Sequence, residues 1–390
     1  GDRRKDIPTA IYDTEFNQPG VWTDDYRSVM SLCYETKCSA KRNDLLTVQL
    51  YNNRYIYHGN YIYDYGYPTL VTEFDYANMN WFGIETRYSV DINPRLSLTS
   101  GLEYTHSRMR QEDHDAAPYY QEYANSTDST DMKSCYTQAD LTIADPLRMV
   151  VGLRLDKASA FGTNLSPRFA FIYNASQSTT MKMLYGQAFR APCLNEGYNL
   201  DPEEIATTEF VLERALGTHS RLVTSIFHYD LDQVITQATD IDGNIQYVNS
   251  AGVTSDGIET QLESRVMDGI DGYLGFSLLR TRDAATDEHI SNSPNYLVTA
   301  GLSLPMAKKY IISPDLQLVG SEKTLAGNET GSALVCNLTM KTKDSKGLGL
   351  SLRIHNLLNK TVYVPGSSRI RMDKIPQEGR TLQIQASYNY

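Results

Sequence analysis

The sequence predicts an all-β protein, an antiparallel up-and-down sheet of the transmembrane β-barrel type. About seventeen segments alternate apolar and polar residues with the period of a strand, and many of them run ten residues or more. Their connections alternate between short turns and mostly longer polar loops. Long strands suit a tilted crossing of a bilayer, and unlike ends are typical of outer-membrane barrels.

The predicted strands follow one another along the whole chain without a convincing helix. In order, they are 27–37, 44–57, 80–91, 95–107, 134–144, 147–157, 165–174, 180–189, 203–215, 220–235, 247–265, 272–283, 295–305, 310–321, 332–342, 347–361 and 381–390. Turn residues fill the short connections, such as 93–94, 145–146 and 267–271. The longer loops are 58–79, 108–133, 190–202, 236–246, 284–294, 322–331 and 362–380.

Several predicted strands separate an aliphatic face from a charged face. In the last strand Leu382 and Ile384 alternate with Gln383 and Gln385, and 147–157 alternates in the same way. A soluble sandwich also has one face without charges, so this pattern alone does not distinguish the two folds. The number and length of the strands and the unlike ends favour the barrel.

Composition excludes several other classes. The net charge of -11 argues against a nucleic-acid partner. No window is apolar enough for a transmembrane helix, and the mean hydropathy is -0.42. The 28 tyrosines, against 10 Phe and 2 Trp, suit strands and half-wet boundaries.

Cys33 and Cys38 form either a local bridge or two unrelated thiols. No catalytic or metal-binding spacing occurs, so we expect no enzyme, no cofactor and no bound metal.

Three segments, in this order and spacing, resemble the TonB-dependent outer-membrane receptors. They are "FRAPCLNEGYNLDPEE" at 189–204, "RIHNLLNKTVY" at 353–363 and "IPQEGRTLQIQASYNY" at 375–390. The motif residues are Phe189, Arg190, Ala191, Pro192, Leu194, Asn195, Glu196, Asn356, Leu357, Asn359, Gly379, Arg380 and Tyr390. The segment 247–263 is similar to a further strand of the same family, and the resemblance covers 27–390. Tyr390 stands where the family usually ends on Phe.

The resemblance implies a globular plug and a 22-stranded barrel, of which about 17 strands are recognised here. We therefore expect 27–390 to be receptor barrel and 1–26 to be an extracellular-end segment from a truncated barrel start, with the plug and first strands missing. A complete smaller barrel, in which 9–16 supplies an eighteenth strand, is the alternative. Such an incomplete sheet is expected to leave two open edges.

The same resemblance implies function. The expected activity is TonB-driven import of a metal chelate, a ferric siderophore before haem or cobalamin, across the outer membrane of a Gram-negative bacterium. The expected partners are outer-membrane lipid and lipopolysaccharide, the TonB complex acting through the missing plug, and the chelate. A plugless porin-like channel and a surface or secreted β-rich binding module are the alternatives.

Two sets of candidate residues follow. Loop residues expected to bind the ligand are Arg108, Arg110, His114, Tyr119, Tyr120, Tyr123 and Arg190, because aromatic rings stack on a chelate and guanidinium groups pair with an anionic one. Residues expected to face the lumen or the plug are Arg148, Arg154, Asp156, Lys182, Glu209, Glu213, Glu259, Glu263, Arg265 and Arg353.

Overall fold

A computed structural model of the chain describes residues 1–39, 42–66, 70–194, 196–197, 199–239, 245–267, 269–306, 309–343 and 347–389. Every regular element in this part of the chain is a β-strand, which confirms the predicted all-β class. A search of the same residues for helices long and apolar enough to cross a membrane finds none.

The strands vary widely in length, and the four that follow β2 are the longest. In chain order they are β1 (Asp2–Asp6), β2 (Trp22–Thr36), β3 (Asp44–Asp64), β4 (Leu70–Asn93), β5 (Leu96–Ala117), β6 (Gln121–Ala144), β7 (Leu147–Ala158), β8 (Gly162–Ser176), β9 (Thr179–Arg190), β10 (Glu203–Leu216), β11 (Ser220–Asp232), β12 (Val234–Thr239), β13 (Ile245–Ser250), β14 (Val253–Met267), β15 (Ile270–Asp283), β16 (Tyr296–Met306), β17 (Tyr310–Val319), β18 (Ala333–Thr342), β19 (Gly347–His355), β20 (Tyr363–Pro365), β21 (Lys374–Pro376) and β22 (Thr381–Asn389).

Eighteen of these strands form one antiparallel sheet. Pairing follows chain order from β1 to β11, continues through β14 to β19 and ends on β22. The hairpins β12–β13 and β20–β21 form two small sheets within connections. This is the up-and-down topology that the alternating turns and loops predict.

Two predicted loops are wrong. Residues 58–79 and 108–133 lie mostly in strands, because β3 to β6 each run 21 to 24 residues. Crossing a bilayer takes only about ten residues of a tilted strand, so each of these strands is about twice as long as a crossing requires. The extra length forms the projecting hairpins β3–β4 and β5–β6. The Asp, Ser and Asn residues of 108–133 are typical of loops. Here the neighbouring strand supplies the backbone hydrogen bonds that keep them extended.

Smaller corrections concern strand ends. The predicted strand 347–361 stops at His355, because Asn356 and Asn359 adopt positive φ angles of 48° and 51°. The segments 220–235 and 247–265 each divide, and the parts nearest each other pair as the hairpin β12–β13. Residues 9–16 form only isolated bridges, so the eighteenth strand of the sheet is β1.

The register places side chains on two unlike faces. The apolar face, which we define by Leu50, Ile84 and Leu102, carries exposed side chains, with Ile84 37% and Leu102 66% accessible. On the opposite, charged face Arg154 of β7 pairs with Glu103 of β5 at 2.8 Å, although β6 lies between them. Strands two apart are separated by about 10 Å. Contacts that skip a strand therefore indicate that the charged face is concave.

The two sides of the sheet meet at the end that carries the long hairpins. Ile11, in the connection after β1, forms a bridge with Ile370, in the connection between β20 and β21. The Arg371 guanidinium donates to the Asp13 carboxylate at 2.9 Å, and Arg369 donates to the Tyr12 hydroxyl at 2.9 Å. The connections that flank the first and last strands therefore meet at this end.

Edges remain open elsewhere in the described chain. β1 pairs with only the first five residues of β2, and the apolar side chains that follow are exposed, with Val29 at 76% and Met30 at 71%. On β22, Ile384 is 71% exposed. All five cysteines are free thiols, so Cys33 and Cys38 are not bridged.

Candidate functional site: the mouth of the sheet

Aromatic hydroxyls and carboxylates gather on the charged face where β3, β4 and β5 project. We call this end of the sheet the mouth. We call this group the acid–tyrosine cluster; it consists of Tyr57, Tyr61, Tyr63, Glu73, Asp75, Asp113 and Asp115. Register explains its assembly, because Glu73 lies opposite Asp115 and Asp75 opposite Asp113, while Tyr61 lies opposite Glu73. Directly opposed residues have Cβ atoms about 5 Å apart, so like charges meet.

These carboxylates lack cationic partners. In the described chain Glu73 and Asp75 make no hydrogen bond or ion pair, and the buried Oδ1 of Asp113 has no partner. Burial and the neighbouring Asp113 raise the pKa of Glu73 to about 7 and that of Asp75 to about 6. Burial, and then the charge of Asp115, raise the pKa of Asp113. The cluster therefore holds more protons than isolated carboxylates would.

The tyrosines close the base of the cluster. Tyr61 is 3% exposed and Tyr63 9% exposed, and both pack with Val21, which is 1% exposed. Tyr57 and Tyr61 join their hydroxyls in a hydrogen bond, and the ring of Tyr12 meets Tyr61 edge-on at 5.6 Å. The segment after β1 thus covers one side of the mouth and shields the cluster from water.

A second feature is a cavity of about 240 Å³ beside the "FRAP" turn. Met79, Trp81 and Met132 line it from the sheet, and Pro192 and Leu194 line it from the turn. Thioether, indole and proline groups make the lining mainly apolar. Such a lining suits the hydrophobic part of a ligand, with orientation left to the polar groups nearby.

Arg190 fixes that turn. Its guanidinium donates to the carboxylates of Glu203 and Glu196, the second at 3.1 Å, and Glu196 also accepts the Cys193 backbone N–H at 2.7 Å. Glu203 accepts the N–H of Ile235, which ties the hairpin β12–β13 to the same point. Arg190 was predicted to meet a ligand; its donors are engaged by these two carboxylates.

The other motif residues also hold the backbone. Asn356, 1% exposed, accepts from the Lys360 N–H and donates to the Lys360 carbonyl. Asn359 accepts the N–H of Arg380 at 2.9 Å, which joins the turn after β19 to the start of β22. Gly379 lies against Asn359, and Leu357 follows the buried Asn356. Asn195 and Tyr390 lie outside the described residues.

The ten charged residues predicted to face the lumen share the charged face. Most are neutralised there: Arg154 lies between Glu103 and Asp156, and Glu213 between Lys182 and Arg221. Arg148 pairs with Asp140, Arg265 with Asp271, and Glu209 accepts from Ser225. Glu259, Glu263 and Arg353 line depressions on the same face. We call the charged face below the projecting hairpins the wall. Most of its charges are compensated by neighbouring residues of the same face.

The predicted loop residues are placed differently. Arg108, Arg110 and His114 alternate with Met109 and Asp113 along β5, so they lie on the apolar-face side of the projecting hairpins. Tyr120 packs against His114 at 5.0 Å, and Tyr119 is 82% exposed. Tyr123 alone reaches the cluster, where its hydroxyl donates to Asp115 at 2.7 Å.

Sequence reasoning missed the acid–tyrosine cluster. Its signal was present as two period-two patterns, tyrosines at 57, 61 and 63 and acids at 73 and 75, followed by acids at 113 and 115. Treating 58–79 and 108–133 as loops concealed the alternation. Only the register shows that these residues meet.

A concave antiparallel sheet, apolar outside, charged inside and gathered into a polar mouth at one end, has the architecture of a transmembrane β-barrel. The family described as "TonB dependent receptor-like, beta-barrel" matches residues 3–357, and the chain belongs to this family. Its members are transporters, and this family membership confirms that the chain is not an enzyme. Among the described residues no group of three or more His, Cys, Asp or Glu could hold a metal.

Solved structures with the same fold are distant in sequence. The copper transporter OprC superposes with a TM-score of 0.79 at 14% identity, over 95% of this chain and 66% of that one. The unliganded ferric citrate transporter FecA gives 0.79 at 14%, over 99% and 66%. The ferric-catecholate import receptor Fiu from K12 E. coli gives 0.76 at 13%, over 94% and 64%. The chain thus spans just under two thirds of the length of these structures. No curated protein matches it.

Proposed function

We propose that this chain is the greater part of the barrel of an outer-membrane receptor that imports a metal chelate in a Gram-negative bacterium, driven by TonB. The supporting observation is the family match over residues 3–357, joined to a charged concave face that leads away from a polar mouth. In the proposed arrangement the apolar face contacts lipid, the long hairpins β3–β4 and β5–β6 stand outside the cell, and 1–26 lies at that outer end.

The charged wall supports a gated path rather than an open one. Its ion pairs, among them Arg154 with Asp156, are the groups that a plug would contact in the lumen. We propose that a plug and further barrel strands complete the receptor, and that TonB acts through the plug. A passive channel would need neither.

The carboxylates and tyrosines of the mouth favour one class of ligand over another. Four carboxylates that form no ion pair in the described part of the chain repel a polyanion at neutral pH, whereas tyrosine hydroxyls and the apolar cavity beside the "FRAP" turn accept a neutral or cationic chelate. We therefore propose a siderophore of the neutral, hydroxamate type over a trianionic catecholate, with Tyr123 among the contacts.

Uptake of labelled iron tests the proposal. Cells that carry the gene, cells that lack it and cells that lack TonB are supplied with ferric complexes of a hydroxamate and of a catecholate. We expect uptake of the hydroxamate complex only where both the gene and TonB are present. Uptake that persists without TonB would indicate a passive channel, and exclusive uptake of the catecholate would contradict the ligand class.

A further inference from the structure

The outer part of β6 has a neighbouring strand on one side only. β5 pairs with β6 as far as Gln121, whereas β7 pairs with it only from Met132 onward. A register shift between Glu122 and Ala124 bounds this part of the strand near the tip of the hairpin. We call residues 124–130 the β6 edge; within the described chain no second strand covers it.

The backbone groups that point out of this edge can be identified. Just below it, the Asp131 carbonyl accepts the Ser159 N–H at 3.1 Å, and the Asp131 N–H donates to the Ser159 hydroxyl at 3.1 Å. Because Ser159 follows β7, both bonds lie on the side away from β5. The direction of backbone groups alternates along a strand, so those of Asn125, Thr127 and Ser129 point to the same side. All three residues are exposed, and their N–H and carbonyl groups are therefore accessible to an added strand.

The composition of this segment favours one kind of partner. Edges are commonly protected from pairing by lysine or proline, and residues 121–131 contain neither. Their charged side chains, Glu122, Asp128 and Asp131, are all acidic. A second copy of the same edge would bring like charges together, which argues against pairing between two copies of this chain. A cationic segment meets attraction instead.

The two faces of an added strand would meet different chemistry. On the charged face, Ala124 of the β6 edge lies opposite Asp113 of the acid–tyrosine cluster. On the apolar-face side, Thr127 lies opposite Arg110. Side chains at alternate positions of a strand share one face. Cations at every second position of an added strand would therefore all face the acidic cluster, and the residues between them would lie on the side of the arginine.

The charged face already contains a contact with the reach that this arrangement requires. Arg154 of β7 pairs with Glu103 of β5 at 2.8 Å, across β6. An added strand would take the place beside the outer part of β6 that β7 takes lower down, so its cations would have the same span to Asp113. Ala124 lies between them and has only a methyl side chain. The buried Oδ1 of Asp113 has no hydrogen-bond partner among the described residues.

We propose that the β6 edge binds an extended peptide segment that carries cationic side chains at alternate positions. The segment adds a strand to the projecting hairpin β5–β6. Backbone hydrogen bonds supply the affinity, and the acid–tyrosine cluster selects the spacing of the cations. This function goes beyond import of a chelate, and it rests on the proposed function only in that the hairpin stands outside the membrane.

Peptide binding to the purified, detergent-solubilised protein at pH 8 tests the proposal. The first probe is a short peptide in which lysines alternate with threonines. The second has the same composition with its lysines consecutive, and the third is the alternating peptide with N-methylated backbone amides. We expect the first to bind about tenfold more tightly than either of the others, measured by fluorescence anisotropy. Equal binding of the first and third would show that charge alone attracts the peptide and would overturn the proposal.

Thr127→Pro obstructs the edge from the side of the protein. The N–H that it removes points away from β5, so the pairing of β5 with β6 is retained. We expect the alternating peptide to bind about tenfold more weakly, whereas Thr127→Val, which keeps the N–H and the shape, should bind it as the parent does. Hydrogen exchange of the β5 amides verifies that the hairpin remains folded. Parent-like binding by a folded Thr127→Pro would contradict the proposal, and the comparison of peptides decides it without any variant.

Asp113→Asn tests the part of the acidic cluster. Loss of this charge should reduce the preference for alternating over consecutive lysines about threefold. The matched control is Glu112→Gln on the opposite face of β5, which should retain the full preference. An unchanged preference in Asp113→Asn, or association of two protein copies in place of peptide binding, would overturn the inference. The assay involves no import, so a failure of TonB-driven uptake leaves it intact.

Discussion

Most charged side chains in the wall of the sheet form ion pairs with other described residues, whereas the carboxylates in its mouth do not. In the wall Arg154 is shared by Glu103 and Asp156, and most other charges are paired similarly. In the mouth Glu73, Asp75 and Asp113 face one another without a cation in the described chain. The charges of the wall are thus largely compensated by residues of the wall itself, whereas the carboxylates of the mouth remain available for a ligand and lower the stability of the fold.

The largest expected effect comes from breaking the wall. Arg154→Leu leaves Asp156, which is fully buried, and Glu103 without their partner. Removing one member of a buried ion pair costs about 3 kcal/mol. We expect the denaturant midpoint of unfolding in detergent to fall accordingly. Arg87→Leu removes an arginine of the same face that forms no ion pair within the described ranges. A loss of similar size in that variant would show that pairing is not the cause.

The turn after β19, which Asn359 joins to the start of β22, should be nearly as sensitive. Asn356→Ala removes the bonds to Lys360 and leaves a positive φ of 48° to a residue that tolerates it poorly. Together these changes cost about 2 kcal/mol. The same unfolding measurement checks this, with the exposed Asn125→Ala as control. Equal midpoints for the two variants would refute the structural role of the motif.

A smaller effect is expected where wall and mouth meet. Arg190→Gln removes the guanidinium that bridges Glu196 and Glu203. The free energy of unfolding should fall by only about 1 kcal/mol, because the guanidinium is partly exposed. We expect faster hydrogen exchange at Cys193 and Ile235, whose N–H groups these carboxylates accept. The control is Arg214→Gln, which removes an exposed arginine of β10 that forms no ion pair with any described residue; it should leave both amides unchanged. Protection that persists in Arg190→Gln would show that Arg190 does not hold the turn.

The same contrast explains what the sequence could predict. The charged wall was predictable, because Arg148, Arg154 and Asp156 alternate with aliphatics within one strand and alternation is local. The motif segments were recognisable for a similar reason, since each is contiguous. The mouth was not, because Glu73 meets Asp115 through the register of β4 against β5, 42 residues apart in sequence. The polar composition of these segments is typical of loops and concealed the strands that bring the two residues together. Their extended conformation and register are determined by pairing with the neighbouring strand.

The smallest effect sharpens the comparison most, because it depends on pH. A carboxyl whose folded pKa is raised binds protons more tightly in the folded state, so its stabilisation is complete below the unfolded pKa and is lost as pH rises through the folded value. For Glu73, that value is about 7. We expect the amides of β4 and β5 around Glu73 and Asp113 to be better protected from hydrogen exchange at pH 5 than at pH 8, after correction for intrinsic rates.

Glu73→Gln removes the charge and should relieve the repulsion only at a pH at which the Glu73 carboxylate is ionised. The expected gain is about 0.5 kcal/mol at pH 8, with none at pH 5. The control is Glu112→Gln on the opposite face of β5, where the carboxylate already has Arg110 as its partner; its exchange should show no gain at pH 8. If protection in the parent protein rises with pH, the mouth carboxylates are compensated by a cation, and the argument that an unpaired mouth favours a neutral or cationic chelate fails with it.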